Sequence, residues 1–402
     1  MTTYTREARD FLNALADELE ISDARYRDAE KSYTSLGEWL DRPESSLRQY
    51  EPAVYVQGSF RLGTVIKPFT DEEEYDVDSV CELKLLEKTQ LSQKELKRLV
   101  GIEVDAYRRA QAMVKPLREG RRCWVLDYAD GAQFHMDIVP ALPNGTSQRV
   151  LLEAYGHDVR YAETAIVITD NEHPHYNIVS DDWPRSNPKG YAEWFRSRMA
   201  VIFERRRRAL AEGMRASVET IPDYRVRTPL QSAIMILKRH RDIMFEGQKE
   251  IRPISVVLTT LAAHGYEGEE TIADALFAIL TKMDQFILRD HYDNAVIPNP
   301  TDPAENFADK WINHPEREEA FYAWLGQARK DFQQAAEFAD RLRIQHLLEN
   351  RLGTALAKRA ADRAAPKGGG LLRPAAAAAA AAPGAPAFGN QPRVPTKPKG
   401  FA

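Results

Sequence analysis

The sequence predicts an α/β protein with two lobes and a C-terminal tail without fixed structure. Short apolar or alternating runs between residues 53 and 142 indicate the strands of a mixed β-sheet. Helical periodicity precedes this block and dominates the chain from Asn187 to about Arg363. The last 37 residues contain a glycine run, eight consecutive alanines and no acidic residue, a composition that does not form a packed core. The expected boundaries are 1–185, 186–365 and 366–402.

Residue spacing predicts the first elements in order. Near the N-terminus an apolar residue recurs every three or four positions, which predicts a helical stretch with one buried face to about Leu40. The residues of that face are Phe11, Leu12, Leu15 and Leu19. A second helix is expected near residues 92–117. The predicted strands are Ala53–Val56, Tyr75–Leu83, Cys123–Tyr128 and Gln133–Val139.

Turn and cap residues connect these elements. Asp130-Gly131 lies between the last two predicted strands and indicates a hairpin, because glycine tolerates the positive φ that such turns need. Asn187-Pro188 is typical of a helix N-cap followed by proline in the first turn. The helical lobe is therefore expected to begin there.

Charge excludes a general nucleic-acid-binding protein. The 402 residues include 55 Lys+Arg and 60 Asp+Glu, for a net charge of −5. The tail carries five basic residues and no acid, so residues 1–365 carry a net charge of −10. Binding along a nucleic-acid duplex depends on a basic surface that neutralises phosphates. Nucleic acid is thus not an expected partner, although a local groove can still bind nucleotides.

Cysteine content and hydropathy indicate a cytoplasmic protein. The only cysteines, Cys81 and Cys123, lack metal-ligand spacing and the density of a disulfide scaffold, which favours a reducing compartment and a protein without zinc. The N-terminus mixes both charge signs with apolar residues, unlike a signal peptide, and no run approaches about 20 apolar residues. We expect neither export nor membrane insertion.

Three carboxylates lie in predicted strands. Asp76 and Asp78 alternate along one strand, so both project from the same face, about 6 to 7 Å apart. Asp137 lies within an apolar strand, where a charge is costly unless a cation balances it. Together the three acids suit Mg²⁺ or Mn²⁺, which prefer oxygen ligands. Taken singly, each has a simpler explanation: a solvated strand face for the first two and a salt bridge for the third.

A Gly-Ser pair precedes these acids. Gly58 and Ser59 end an apolar run 17 positions before Asp76. Glycine lets the backbone approach phosphates closely, and the serine adds a hydroxyl donor. Alone, such a turn has little value as a motif. Its order and spacing with the three aspartates indicate metal-assisted transfer from a nucleoside triphosphate.

At this point the motifs resemble a known group of enzymes. Gly-Ser, Asp-x-Asp and a later strand aspartate are similar to the DNA polymerase β-like nucleotidyltransferase superfamily, and more closely to the bacterial cGAS/DncV-like nucleotidyltransferases, or CD-NTases. The resemblance covers roughly residues 5 to 350. Its segments are QGSFRLGTVIKP (Gln57–Pro68), EYDVDSV (Glu74–Val80), HMDIVPA (His135–Ala141), SNPKGYAEWF (Ser186–Phe195), PLQSAIMILKRHRD (Pro229–Asp242), RPISVVLTTLAA (Arg252–Ala263) and NPTDPAENFADKW (Asn299–Trp311).

The resemblance implies a fold and an activity. The fold is a bilobal nucleotidyltransferase with a mixed β-sheet catalytic lobe and a helical C-terminal lobe. The activity is the joining of ATP, and of other NTPs, into a cyclic di- or trinucleotide that activates an effector protein in the anti-phage CBASS systems. The resemblance places metal ligands at Asp76, Asp78 and Asp137. It places triphosphate contacts at Gln57, Gly58, Ser59, Lys238 and Ser255.

The residues themselves give Lys238 and Ser255 modest independent support. Lys238 lies at the edge of the apolar stripe of its helix and can point into a cleft; a snorkelling or solvated lysine is the alternative. Pro253 is expected to open the next helix, which would put Ser255 in a first turn that attracts anions. An ordinary helix-start serine remains the alternative.

Two histidines lie near these motifs. His135 shares a strand face with Asp137 and can approach the site, but a hydrogen-bonded core histidine is the favoured interpretation. His240 lies about 200° around the helix from Lys238, so it should face away from the cleft and make a local polar contact.

Two further functions remain open, together with a role for the tail. One is transfer of a nucleotide to an RNA end or a small-molecule hydroxyl with the same three acids, and the other is a non-catalytic nucleotide-binding scaffold. The resemblance also implies that a ubiquitin-transferase-like protein joins the tail, which ends in Lys399-Gly400-Phe401-Ala402, to a target. An unconjugated low-complexity end is the alternative.

Overall fold

A mixed β-sheet and a set of packed helices make up the computed structural model, which describes residues 4–69, 75–128 and 134–365. The helices are α1 Arg6–Leu19, α2 Asp23–Leu40, α3 Gly58–Leu62, α4 Gln93–Ala110, α5 Gly145–Ala154, α6 Pro188–Met214, α7 Pro229–Met244, α8 Ser255–Gly265, α9 Ile272–Lys282, α10 Pro315–Glu337, α11 Arg341–Leu352 and α12 Thr354–Arg363. The strands are β1 Pro52–Val56, β2 Tyr75–Leu83, β3 Arg118–Glu119, β4 Trp124–Tyr128, β5 Phe134–Pro143, β6 Ile166–Ile168, β7 Arg185–Ser186, β8 Leu288–Arg289, β9 Ala295–Val296, β10 Pro298–Asn299 and β11 Asp302–Asn306.

The central sheet has the order β1-β2-β5-β4-β3. β2 and β5 are parallel, whereas β1 and β4 pair antiparallel to them. β6 pairs with the carboxyl end of β5, and β7 pairs with β6. A parallel pair needs a crossover, which α4 with β3 and β4 supplies here. The long strands β2 and β5 are buried along most of their length, as expected for the centre of a sheet.

The sheet and the later helices have separate hydrophobic cores. One core lies between the sheet and helices α2 and α4. The other joins α1 with helices α6 to α12. The predicted α/β class, with a mixed sheet and a helical C-terminal region, is therefore confirmed. The boundary at residue 185 stays a prediction, and α1 packs with the helical region rather than against the sheet.

Several elements differ from the prediction. The N-terminal stretch is two helices instead of one, because Glu20 is extended and the Ser22 hydroxyl then caps α2 by accepting from the Arg25 backbone N–H at 3.4 Å. The second predicted helix begins after the Ser92 capping box and ends at Ala110, short of residue 117. The helical region also contains the short strands β8 to β11. Neither the Asp130-Gly131 turn nor the tail from residue 366 lies within the described residues.

None of the described helices combines the length and the apolar character needed to cross a membrane.

Asp170 joins the end of β6 to the connection between β3 and β4. Its carboxylate accepts hydrogen bonds from Arg121 at 2.8 Å and from Arg122 at 2.9 Å, and its backbone N–H donates to Gln93 Oε1 at 2.9 Å. Burial disfavours the charged carboxylate, but the hydrogen bonds from the two arginines outweigh it and lower the pKa of Asp170 to about 2. This buried group therefore stabilises the folded protein in its charged form.

We expect Asp170→Asn to lower the free energy of unfolding at pH 7 by about 2 kcal/mol. Because the folded-state pKa lies below the unfolded value, the wild-type advantage is present above about pH 4 and is lost as the pH falls towards 2. Urea unfolding at pH 7 and pH 3 measures this difference. Asp181→Asn, at an exposed side chain, is the control and should change little. An equal loss for Asp170→Asn at both pH values would contradict the prediction.

Candidate active site

The three predicted metal ligands lie on the two parallel strands. In the register of β2 with β5, Asp78 is the partner of Asp137, and Asp76 is the partner of His135. Since side chains alternate along each strand, these four residues project from one face of the sheet. The alternation predicted for Asp76 and Asp78 therefore holds, and the parallel pairing brings Asp137 beside them.

His135 contacts the acids directly. Its Nε2 lies 2.9 Å from Asp76 Oδ1 and 3.9 Å from Asp137 Oδ1. The hydrogen bond from His135 lowers the pKa of Asp76, and the same bond raises the pKa of His135. The favoured interpretation of His135 as a core histidine is therefore wrong, and the residue lies at the acidic site as the strand alternation allowed.

Negative charge is poorly compensated around Asp78 and Asp137. Burial, with the neighbouring Asp137 and Asp76 carboxylates, raises the pKa of Asp78 to about 6. Burial also raises the pKa of Asp137. Among the described residues, no group forms a hydrogen bond with the buried Asp137 Oδ1. A buried carboxylate oxygen that accepts no hydrogen bond, beside two further carboxylates, fits a divalent cation that prefers oxygen ligands.

A second cluster also resembles a metal site. Within the described ranges, one group of side chains has all of its possible ligand atoms within 4.8 Å of one another: His173, His175 and Asp182. The carboxylates of Asp76, Asp78 and Asp137 do not converge that closely. His173 Nδ1 accepts from the His175 backbone N–H and from Gln93, each at 3.2 Å. Neutral His173 must then carry its proton on Nε2, which faces Asp182. This hydrogen-bonded arrangement is unsuited to a metal ion.

Gly58 lies directly against Asp78. The Gln57 backbone N–H donates to Asp78 O at 2.8 Å, and α3 begins at Gly58 with φ +60°. A Cβ on Gly58 would collide with the Asp78 carboxylate, 3.1 Å from its Cγ. Glycine is thus required by the positive φ and by the neighbouring acid, in addition to the approach of phosphates predicted from sequence.

Lys238 is buried in α7 and faces the loop after α3. Its Nζ donates to Thr64 O at 3.0 Å, and the residue is 7% exposed. Burial and the nearby Arg241 lower the pKa of Lys238 to about 8, despite the attraction of the acids on β2. Lys238 is therefore neither solvated nor snorkelling, because α7 is buried on all sides from Pro229 to Arg241.

Ser255 is the first residue of α8, as expected, but Pro253 precedes the N-cap Ile254 instead of opening the helix. Ser255 Oγ accepts a hydrogen bond from Arg241 at 3.0 Å. Arg241 is 4% exposed and also binds Asp242 at 2.7 Å, and Asp242 in turn binds Arg252. These charged neighbours were not predicted from the sequence, although they lie within the ILKRHRD and RPIS segments.

One cavity of about 970 Å³ connects these groups. Its described wall includes most of the predicted site and the charged residues Arg241, Asp242 and Arg252. The predicted residues on the wall are Gly58, Ser59, Asp76, Asp78, Lys238 and Ser255. The described wall does not include Gln57 or Asp137, which lie beside Gly58 and Asp78. His240 faces away from this wall, as expected, but its polar contact is not local: its Nε2 lies 3.0 Å from Asp331 Oδ2 on α10, in the helical core.

The fold and the site together define a class of protein. The mixed sheet carries three aspartates beside a Gly-Ser turn, and a lysine and a serine of the helical region line the same cavity. This is the architecture of a nucleotidyltransferase. The individual roles of these residues in binding metal and nucleotide stay predictions.

Comparisons with known proteins agree with this class. The family model for the nucleotidyltransferase domain of "Cyclic GMP-AMP synthase DncV-like" proteins matches residues 52–140. A c-di-GMP synthase from Roseivirga ehrenbergii is 29% identical over 334 residues, 81% of this chain and 79% of that protein. The cyclic dinucleotide synthase CdnG from Bradyrhizobium diazoefficiens is 24% identical over 322 residues, 75% of this chain and 69% of that protein.

The structure of the Bradyrhizobium diazoefficiens CD-NTase CdnG in complex with GTP has the same fold. Its TM-score is 0.64 at 21% identity, and the match covers 88% of this chain and 97% of that chain. These comparisons confirm the resemblance seen in the motifs: the chain is similar to nucleotidyltransferases of the bacterial CD-NTase type.

We expect Asp78→Asn to stabilise the metal-free protein at pH 8 by roughly 1 to 3 kcal/mol, because it removes a carboxylate whose charged form is disfavoured. The folded-state pKa of about 6 lies above the unfolded value, so wild-type stability falls as the pH rises from about 4 through 6. The difference between variant and wild type should therefore be small at pH 4.5 and full at pH 8.

Urea unfolding at both pH values, with and without Mn²⁺, measures this effect. Mn²⁺ should stabilise the wild type at pH 8 and stabilise Asp78→Asn much less. A stability difference independent of pH, or equal stabilisation of both proteins by Mn²⁺, would remove Asp78 from the predicted metal site.

Proposed function

We propose that this protein synthesises a cyclic di- or trinucleotide from NTPs in a Mg²⁺-dependent reaction. The observation that carries the proposal is the pairing of Asp78 with Asp137 on parallel strands, beside a cavity whose wall also contains Lys238 of the helical region. The two curated relatives described above are named cyclic dinucleotide synthases, which supports the same chemistry.

The residues divide into two sets with different tasks. Asp76, Asp78 and Asp137 would hold Mg²⁺ or Mn²⁺, and Asp76 would exchange its hydrogen bond with His135 for the cation. When bound, such a cation activates an attacking hydroxyl and neutralises charge on the leaving pyrophosphate. Gly58 and Ser59 would contact the triphosphate from the sheet side of the cavity.

Lys238 and Ser255 would bind the triphosphate from the helical side. Arg241 occupies an acceptor position on Ser255 Oγ, so the hydroxyl proton of Ser255 is available for a phosphate oxygen. Lys238 is held near the acids by a single backbone carbonyl, which leaves its other N–H groups for phosphate.

The wider context extends this proposal. GTP is a proposed substrate because the structure of the Bradyrhizobium CdnG contains it, and ATP is proposed from the sequence resemblance. The product would activate a separate effector protein in CBASS anti-phage defence in the cytoplasm. The ubiquitin-transferase-like partner rests on tail residues outside the described ones and stays a sequence prediction.

We expect purified protein incubated with Mg²⁺ and all four labelled NTPs, without nucleic acid, to form a phosphatase-resistant product. Its mass should match a cyclic di- or trinucleotide. The double variant Asp76→Ala/Asp78→Ala should lose at least about 1000-fold in rate while staying folded, because it removes two predicted metal ligands. Mass spectrometry after phosphatase treatment identifies the product, and circular dichroism checks the fold.

Other outcomes of this assay separate the alternatives. Linear products would favour transfer to another hydroxyl acceptor. Product from the folded double variant would remove these acids from the mechanism. Nucleotide binding without any product, under Mg²⁺ and under Mn²⁺, would favour a binding scaffold.

We expect Lys238→Met to raise the KM for NTPs about 10-fold or more, because a charge-assisted contact to phosphate is lost while side-chain volume is kept. Steady-state kinetics with varied NTP concentration measure this change. Lys31→Met, at an exposed position of α2, is the control. An unchanged KM in folded Lys238→Met would restrict Lys238 to its structural bond with Thr64.

A further inference from the structure

The cavity wall contains a carboxylate that the proposed chemistry does not use. Glu305 lies on β11, within the NPTDPAENFADKW segment, and lines the cavity together with Asn299. We propose that Glu305 reads the base of the nucleotide and selects guanine over adenine. This inference rests on the proposed function, since it assigns the base-binding end of the same cavity.

Asn299 fixes the position of the Glu305 carboxylate. Asn299 is 4% exposed, and its Oδ1 accepts from the Thr301 backbone N–H at 2.9 Å and from Thr301 Oγ at 3.0 Å. Its amide nitrogen must therefore face Glu305, and it donates to Oε2 at 2.7 Å. Among the described residues, none donates a hydrogen bond to Oε1. The Glu305 carboxylate is therefore held in place by Asn299, and both of its oxygens can accept further hydrogen bonds.

The sheet places β11 away from the metal end of the cavity. Leu142, five residues beyond Asp137 on β5, is the partner of Val167, which is the partner of Arg185. Five residues span about 17 Å along a strand. Arg185 binds Asp302 of β11 at 2.7 Å. When the phosphates lie at the acids, a base at the far end of an extended nucleotide lies towards β11.

Charge supports the same placement. A carboxylate beside a triphosphate is repelled, whereas the cations Lys238, Arg241 and Arg252, which also line the cavity, attract it. Burial raises the pKa of Glu305, so its negative charge is only partly compensated by the protein. A ligand that supplies N–H donors without a negative charge suits this position, as a nucleobase does.

Hydrogen-bond chemistry selects the base. Guanine presents two donors side by side, N1–H and the N2 amino group, and an ionised carboxylate accepts both through its two oxygens. Oε2 can accept from Asn299 and from the base, because each carboxylate oxygen has two lone pairs. Adenine presents one amino donor next to the N1 lone pair, which faces a carboxylate oxygen unfavourably. The carboxylate therefore discriminates against adenine.

The test is the variant Glu305→Gln, which keeps the size of the side chain and an acceptor for Asn299. Glutamine offers one acceptor and one donor, the pattern that matches adenine N6–H and N1. Since a bidentate base contact contributes about 1 to 3 kcal/mol of discrimination, the ratio of ATP to GTP dissociation constants should fall about 10-fold or more.

Binding is measured with the α,β-methylene analogues of GTP and ATP, which cannot transfer their nucleotidyl group. Glu246→Gln, at an exposed glutamate that also lines the cavity, is the matched control and should leave the ratio unchanged. Glu305→Asp keeps the charge and should keep a preference for guanine with weaker binding. Thermal unfolding shows that each variant is folded.

The outcomes are distinct from those of the proposed function. Equal binding of both analogues by the wild type, or an unchanged ratio in folded Glu305→Gln, would overturn the assignment of Glu305 even if a cyclic product forms. A guanine preference lost in Glu305→Gln would support the assignment even if no cyclic product is found.

Discussion

The parallel pairing of β2 with β5 is the constraint on which the rest of the site depends. It puts Asp78 beside Asp137 and Asp76 beside His135 on one sheet face, despite the mutual repulsion of the acids. The buried strands hold this arrangement through main-chain hydrogen bonds and the packed core beneath them. The raised pKa values of Asp78 and Asp137 reflect the electrostatic cost of holding the acids together, and a bound cation would relieve it.

Sequence patterns predicted much of the fold because they report periodicity. Alternation gave the strands that carry Asp76, Asp78 and Asp137, and helical spacing gave the C-terminal region. The sequence pattern does not show local backbone conformation. Glu20 is extended and divides α1 from α2, but the helical spacing of apolar residues continues across it. The short strands β8 to β11 were missed because each pairs with its neighbour at only two positions, too few to show a periodic pattern.

The site was predicted less completely than the fold. A motif names Lys238 and Ser255, but only tertiary packing shows that Arg241 binds Ser255 or that Asn299 orients Glu305. His135 was misjudged because a strand face can point into a core or into a cleft, and the sequence pattern is the same for both. The folded region is acidic overall, yet the cavity wall includes the cations Lys238, Arg241 and Arg252 as well as the acids Asp76 and Asp78. Net charge therefore excluded a duplex-binding surface but did not reveal this local group of basic side chains.

The close approach of Gly58 to Asp78 has a thermodynamic consequence. The loop that would hold the triphosphate contacts Asp78, a proposed metal ligand, in two ways. The Gln57 N–H donates to the Asp78 carbonyl, and the backbone at Gly58 lies against the Asp78 carboxylate because glycine has no Cβ. A shift of that loop on nucleotide binding changes the surroundings of Asp78, and a cation on Asp78 changes the surroundings of the loop. Linkage is reciprocal, so each of the two ligands alters the affinity of the other by the same factor. The binding of nucleotide and the binding of cation would therefore be coupled rather than independent.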